Sequence, residues 1–366
     1  MSSFFGSLVE GVRGSAGAGK RRMASGVALT LVAGVLVAAA VTAEGVPISE
    51  VDLNDGGVWV TKDDDRIIAR LNSQVKELDL GVPTTGSQSL LNQDAVDVQL
   101  IDLGGGGDRR VEIVDVVNGK LTAKVDVSKS VEISSARRTV AFVDRQSGKG
   151  WVRQSQGLAG FTTKAEPTVT GLGQKAAVVV GADGTAHFLN RAKSVVTPVS
   201  LDASGVTVVG SPVELKGQLG DKDEMTAVGS VPVVLDRVKS LVFVPGKSPV
   251  VVPGAGAVLQ LPQAAGSGEF FVASEDGLLR GSLSGGSLKR VSTVSVDGAP
   301  AAPAVVDGCV YGAWRDVGAA KNFEVVCGGK SVDAAKIPQL SGSARLVFRV
   351  NRKVVVLNDA SGGLAW

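Results

Sequence analysis

The sequence predicts an all-β chain folded as a β-propeller of seven or eight blades and preceded by one transmembrane helix. Three observations point there. After residue 50 the chain is a succession of short valine-rich runs separated by Gly, Asp, Asn and Ser, with no convincing amphipathic helix. The runs pair into hairpins that recur about every 42 residues on average, the period of a stack of small antiparallel sheets. Ahead of them, residues 23–43 form an apolar stretch with no charged side chain.

The first 22 residues carry Arg13, Lys20, Arg21 and Arg22 against Glu10, a net of +3. At about 1.5 Å per residue, 23–43 is long enough to cross a hydrocarbon core of about 30 Å. The basic flank places residues 1–22 in the cytoplasm and 44–366 outside, so the chain reads as a single-pass cell-membrane protein whose membrane contact is 23–43. The alternative is secretion after cleavage of a long signal peptide at Val41-Thr42-Ala43. A 22-residue lead is long for the charged region of a signal peptide, which favours the anchor. The whole chain has a formal charge of +2, so residues 23–366 sum to +2 − 3 = −1. The basicity is confined to the lead.

The hairpins follow in order. Val58-Trp59-Val60 leads through Asp63-Asp64-Asp65 to Ile67, Ile68 and Leu71. Residues 111–116 turn at Asn118-Gly119 into 121–125, and 140–143 turn near Ser147-Gly148 into Trp151 and Val152. Residues 178–180 turn at Asp183-Gly184 into 186–189, 233–235 precede 241–244, and 270–272 turn at Asp276-Gly277 into 278–283. Residues 310–314 pair with 323–326, and 354–357 turn near Ser361-Gly362 into 364–366. Glycine suits these turns because it takes positive φ without strain. The gaps between successive hairpins run from 29 to 55 residues. The two longest read as inserts at 82–110 and 191–226. A row of immunoglobulin-like sandwiches would need a widely spaced Cys pair around a buried Trp. The only two cysteines stand 18 apart.

Cys309 begins one strand and Cys327 ends its antiparallel neighbour, so their sulfurs are expected to meet in a disulfide. Closing a loop of this size is worth about 3 kcal/mol in the chain-entropy model. Such a bond persists outside the cytoplasm, in keeping with export.

Chemistry-bearing residues are few. The single histidine, His187, sits inside an expected strand, which excludes multi-histidine metal centres and favours a structural role. Asp63-Asp64-Asp65 lacks the spacing of a calcium loop and reads as a solvated hairpin tip. Asp102, the glycines 104–107 and Asp108 resemble a phosphate cradle without the Lys-Ser/Thr and helix that one needs. Arg137-Arg138, Lys289-Arg290 and Arg352-Lys353 are scattered and form no nucleic-acid stripe. Trp59, Trp151, Trp314 and Trp366 all fall on hairpin strands, where they pack between blades or line a sugar-binding surface. No catalytic, cofactor-binding or metal-binding residue is assigned.

Several segments resemble the N-terminal part of large actinobacterial membrane-anchored proteins that carry Ig-like or fibronectin type III domains. They are Leu53-Asn54-Asp55-Gly56-Gly57-Val58-Trp59-Val60, the following Arg70-Leu71-Asn72-Ser73-Gln74-Val75-Lys76-Glu77-Leu78-Asp79, Gly308-Cys309-Val310-Tyr311-Gly312-Ala313-Trp314, and the run 348–359 that leads to Trp366. The resemblance implies a cell-envelope protein with a propeller-like head, in a family where an array of such modules usually follows. The motif Leu53-Asn54-Asp55 returns as Leu357-Asn358-Asp359.

The function expected from these observations is that of a non-enzymatic, membrane-anchored platform at the cell envelope, with an envelope protein or a glycan as partner and no nucleic acid. The alternative is a cell-surface protein that binds or degrades polysaccharide. A quinone-dependent dehydrogenase, another propeller class, would need an adjacent Cys-Cys pair and regularly repeated tryptophans.

Overall fold

The computed structural model describes residues 57–366, except Val96, Gly105, Gly106, Ala265 and Ser267. The basic lead at 1–22 and the expected helix at 23–43 lie outside the described residues. Among the described residues no helix is long and apolar enough to cross a membrane. Only two single-turn 3-10 elements, Asp63–Asp65 and Ser155–Gly157, interrupt a succession of β-strands.

The strands form eight antiparallel sheets, each built from consecutive segments. They run over 58–83 (sheet 1), 89–127 (sheet 2), 131–154 (sheet 3), 177–214 (sheet 4), 223–251 (sheet 5), 258–290 (sheet 6), 299–335 (sheet 7) and 346–359 (sheet 8). No sheet could bury both faces alone. Stacking solves this, because apolar clusters fill the spaces between successive sheets. Trp59 and Ile68 meet Leu91 and Leu100 between sheets 1 and 2. Ile101 and Val111 meet Phe142 and Trp151 between sheets 2 and 3, and Val58 and Val60 meet Val356 where sheet 1 returns to sheet 8. The described residues form an all-β propeller.

The uncertainty between seven and eight has a structural cause. The innermost strand of sheet 8, Leu346–Asn351, reaches that of sheet 2, Ser89–Asp94: Arg349 Nη1 donates to the Leu91 carbonyl at 3.0 Å, and Asn351 Oδ1 accepts the Ala95 N–H at 3.1 Å. Seven innermost strands thus close a ring, and sheet 1 packs between sheets 8 and 2. The seven begin at residues 89, 131, 177, 223, 258, 304 and 346, so they recur at 35 to 46 residues. This is steadier than the hairpin gaps, because the strongest hairpin signals fall on different strands in different sheets.

All eight expected hairpins pair, the last through an isolated bridge between Asn358 and Ala365. The two expected inserts are corrected. Residues 82–110 hold the strands Ser89–Asp94 and Asp97–Asp102, and 191–226 hold Val195–Leu201, Thr207–Val209, Val213–Glu214 and the start of Asp223–Val228. These strands lack the open turn signal of the others: the turn between the first two has Ala95, not glycine, at φ +56°. Asp63-Asp64-Asp65 also differs from expectation: Asp63 is buried and paired with Arg345, leaving only Asp64 and Asp65 exposed.

One turn repeats between the second and third strands. An Asp or Asn ends the second strand and caps the chain with its side chain, and the residue four positions on is left-handed. Asn72 with Lys76, Asp144 with Gly148, Asn190 with Ser194, Asp236 with Ser240 and Asp359 with Gly363 all follow this rule. The aspartate or asparagine is needed because its oxygen accepts N–H groups that face away from any ladder.

Candidate functional site

This repeated turn also places charge. In sheets 3, 4 and 5 the residue after the capping Asp or Asn is an arginine: Arg145, Arg191 and Arg237. All three side chains line one open cleft of about 520 Å³ beside the innermost strands of these sheets. In sheets 3 and 5 the arginine faces a glutamate thirteen positions earlier on the innermost strand. Arg145 Nε lies 3.7 Å from Glu132 Oε2, and Arg237 Nε lies 3.0 Å from Glu224 Oε2. Oε1 of each glutamate reaches forward to the next sheet. Glu132 accepts the Val178 N–H at 3.2 Å and Glu224 accepts the Leu259 N–H at 3.0 Å. Each glutamate therefore ties its own turn to the following innermost strand.

Sheet 4 breaks the pattern. The position equivalent to Glu132 and Glu224 is Val178, which has no carboxylate to offer. Arg191 turns instead to Asp223 of sheet 5, and its Nη1 also donates to the Asp221 carbonyl at 2.5 Å. The Arg191 and Asp223 side chains are 8% and 1% exposed, so this ion pair is nearly dry. Asp223 Oδ2 and Arg191 Nε have no hydrogen-bond partner. The cleft thus opens between sheets 4 and 5, at the one junction of the three that lacks the glutamate tie. At its mouth, Lys175 Nζ pairs with Asp221 Oδ1 at 2.8 Å.

The lining carries four carboxylates and four cationic side chains. Burial pushes the Glu132, Asp223 and Glu224 carboxyls above their ordinary range, against the pull of the arginines. Among the cleft's carboxylates, Asp223 is the one with a buried oxygen that has neither a hydrogen bond nor an ion-pair contact. Among the described residues, no group of three or more His, Cys, Asp or Glu is arranged to hold a metal ion.

The residues singled out in the sequence lie elsewhere. His187 is buried in sheet 4 between Val179 and Pro198 of the neighbouring strands. Trp59, Trp151 and Trp314 are buried between sheets, and Trp366 packs against the core of sheets 7 and 8, so no tryptophan surface for sugars is formed. Asp102 caps its own loop, accepting the Gly104 N–H at 2.8 Å. Arg137 and Arg138 pair with Asp94 and Asp97. Cys309 and Cys327 stand opposite each other on adjacent strands and form the expected disulfide, with Cα atoms 4.2 Å apart. The charged cleft was missed, although one signal was readable. Asp144-Arg145, Asn190-Arg191 and Asp236-Arg237 are spaced by 46 residues each time, as are Glu132, Val178 and Glu224.

No protein-family model and no curated protein sequence matches the chain. Solved structures do. The dihydro-heme d1 dehydrogenase NirN, solved in complex with DHE, matches with a TM-score of 0.58 at 11% identity, over 89% of this chain and 75% of that one. BamB from Moraxella catarrhalis matches with a TM-score of 0.48 at 11% identity, over 84% and 92%. A catalytically inactive virginiamycin B lyase from Staphylococcus aureus, solved with quinupristin, matches with a TM-score of 0.48 at 12% identity, over 76% and 97%. At 11% identity, the match to NirN shows a shared fold alone. The expectation of a non-enzymatic chain is corrected by the first of these, because the propeller that this chain resembles over 89% of its length belongs to a dehydrogenase. A missing catalytic motif is therefore no ground for excluding catalysis on this fold.

Proposed function

We propose that the chain is a membrane-anchored, extracytoplasmic propeller that serves as a protein-interaction platform at the cell envelope, and that a protein partner engages it at the cleft between sheets 4 and 5. The observation that carries this reading is the cleft itself. It is open, and it holds the nearly dry Arg191–Asp223 pair, of which Asp223 Oδ2 and Arg191 Nε have no hydrogen-bond partner. Such a place favours a partner that completes the missing contacts. The apolar, uncharged stretch at 23–43 behind a basic lead and the Cys309–Cys327 disulfide support an exported location, and the resemblance to actinobacterial envelope proteins agrees with it. A glycan partner draws no support from the tryptophans, three of which are buried.

The test is site-specific photo-crosslinking in cells. A photoreactive residue replacing Lys222, at the cleft, is expected to form an adduct with an extracytoplasmic protein. The same probe at Val332, exposed on the outer strand of sheet 7, is expected to form none. Equal labelling from both positions, or none from the cleft, rejects the platform reading.

A further inference from the structure

The break in the repeat at Val178 has a consequence for what the cleft takes. In sheets 3 and 5 a half-buried glutamate faces the arginine of its own turn. In sheet 4 that glutamate is absent, and Asp223 must serve Arg191 from the next sheet with one oxygen, while Oδ2 stays buried without a partner. A buried carboxylate oxygen left unpaired destabilises the free protein, and a donor that reaches it offsets that loss. The walls beside it are apolar, formed by Ala177, Val178 and Met225. An aliphatic stem fits such walls, with its charged head on the carboxylate. Arg191 Nε–H, also unpartnered, calls for a neutral acceptor next to that head, because both Nη groups already face Asp221 and Asp223.

Resting on the platform reading, we propose that the cleft takes a lysine side chain presented by an extended segment of the partner, with its ammonium on Asp223 Oδ2 and a backbone carbonyl of the same segment on Arg191 Nε–H. A peptide supplies both groups together.

The experiment uses the full chain and fluorescein-labelled Ala/Gly decapeptides with a central lysine, norleucine or glutamate, read by fluorescence anisotropy. The lysine peptide is expected to bind at least tenfold more tightly than the norleucine peptide, with the glutamate peptide weakest. Asp223→Asn is expected to lower lysine-peptide affinity at least tenfold; it also leaves Arg191 without its carboxylate and lowers the melting temperature, so binding is read well below that temperature. Val178→Glu restores the missing glutamate beside Arg191 and is expected to abolish binding. Should that variant fail to fold, Asp223→Asn decides alone. Equal affinity for the lysine and norleucine peptides, or unchanged binding by Asp223→Asn, overturns the lysine assignment. If the Lys222 adduct still forms in cells under that outcome, the platform reading survives and only the lysine assignment falls.

Discussion

Both ring nitrogens of His187 are buried without a hydrogen-bond partner, and burial lowers its pKa from the ordinary 6.5 to about 4, with Asp183 pulling weakly the other way. The sign of the pH dependence follows. In the unfolded chain His187 takes up a proton near pH 6.5, whereas in the folded chain it stays neutral until about pH 4. Its full contribution to stability is therefore present above pH 6.5 and is lost as the pH falls toward 4. At about 1.4 kcal/mol per pH unit, the loss at pH 5 is about 2 kcal/mol. Glu132, Asp223 and Glu224, whose carboxyls are raised, act in the opposite sense, so the test must isolate the histidine. His187→Leu is expected to match the wild type near pH 7 or exceed it, and to gain about 2 kcal/mol on it by pH 5, measured by urea titration at both pH values. A constant difference between the two proteins across that range rejects the assignment. A buried role for this residue was legible from its place among Ala186, Phe188 and Leu189. The lack of any partner was not, because it depends on which side chains of other strands share its face of the sheet, and the directly opposite residues, Val179 and Pro198, offer it no polar side chain.

At the scale of the element, the repeated turn decides which substitutions the propeller tolerates. Gly148 has φ +66°, and a Cβ there would stand 2.5 Å from the Gly173 nitrogen. Gly148→Ala meets both the left-handed penalty of about 1–2 kcal/mol and a backbone clash, so a loss above about 2 kcal/mol is expected in thermal unfolding. Ser240 occupies the matching position of sheet 5 at φ +52°. Ser240→Gly relieves that strain and is expected to raise stability by about 0.5–1 kcal/mol, once the greater freedom of glycine in the unfolded chain is subtracted. The two variants moving in the same direction would refute the shared geometry. These turns also explain what could be read in advance. Asn118-Gly119, Ser147-Gly148 and Asp183-Gly184 mark their turns openly, and the hairpins around them were legible. The turn at 94–97 has no glycine, so the strands on either side of it were taken for an insert. The cleft was hidden for a different reason. Its central pair joins Arg191 to Asp223 across two sheets, and no local pattern reveals that Val178 leaves the arginine without its glutamate.

The whole molecule depends on how its ends meet. Sheets 8 and 1 share no hydrogen-bonded ladder over their named strands. Two backbone bonds, from the Asp63 N–H to the Ala360 carbonyl at 2.8 Å and from the Asp64 N–H to the Ser361 carbonyl at 3.3 Å, join them together with buried side chains. Asn358 is central. Its Oδ1 accepts the Thr61 N–H at 2.9 Å, and its Nδ2 donates to the Thr61 carbonyl at 3.1 Å and the Leu364 carbonyl at 3.2 Å. One amide thus ties the first sheet, the last sheet and the final segment together. The disulfide acts at another level. Cys309 and Cys327 are opposite neighbours within sheet 7, so their bond stiffens one sheet and leaves the ring junction unchanged. Two different outcomes follow. Asn358→Ala leaves the Thr61 N–H and carbonyl buried without partners and is expected to cost about 3 kcal/mol or more, at 1–3 kcal/mol per orphaned group. It also weakens the junction of sheet 1 with sheet 8, so hydrogen exchange is expected to rise first in 58–83 and 354–366. Replacing both cysteines by serine is expected to cost about 3 kcal/mol through the unfolded chain, with added exchange confined to 309–335. Hydrogen exchange followed by mass spectrometry separates the two. If Asn358→Ala loosens all eight sheets equally, the ring is one cooperative unit and has no weak junction at its ends.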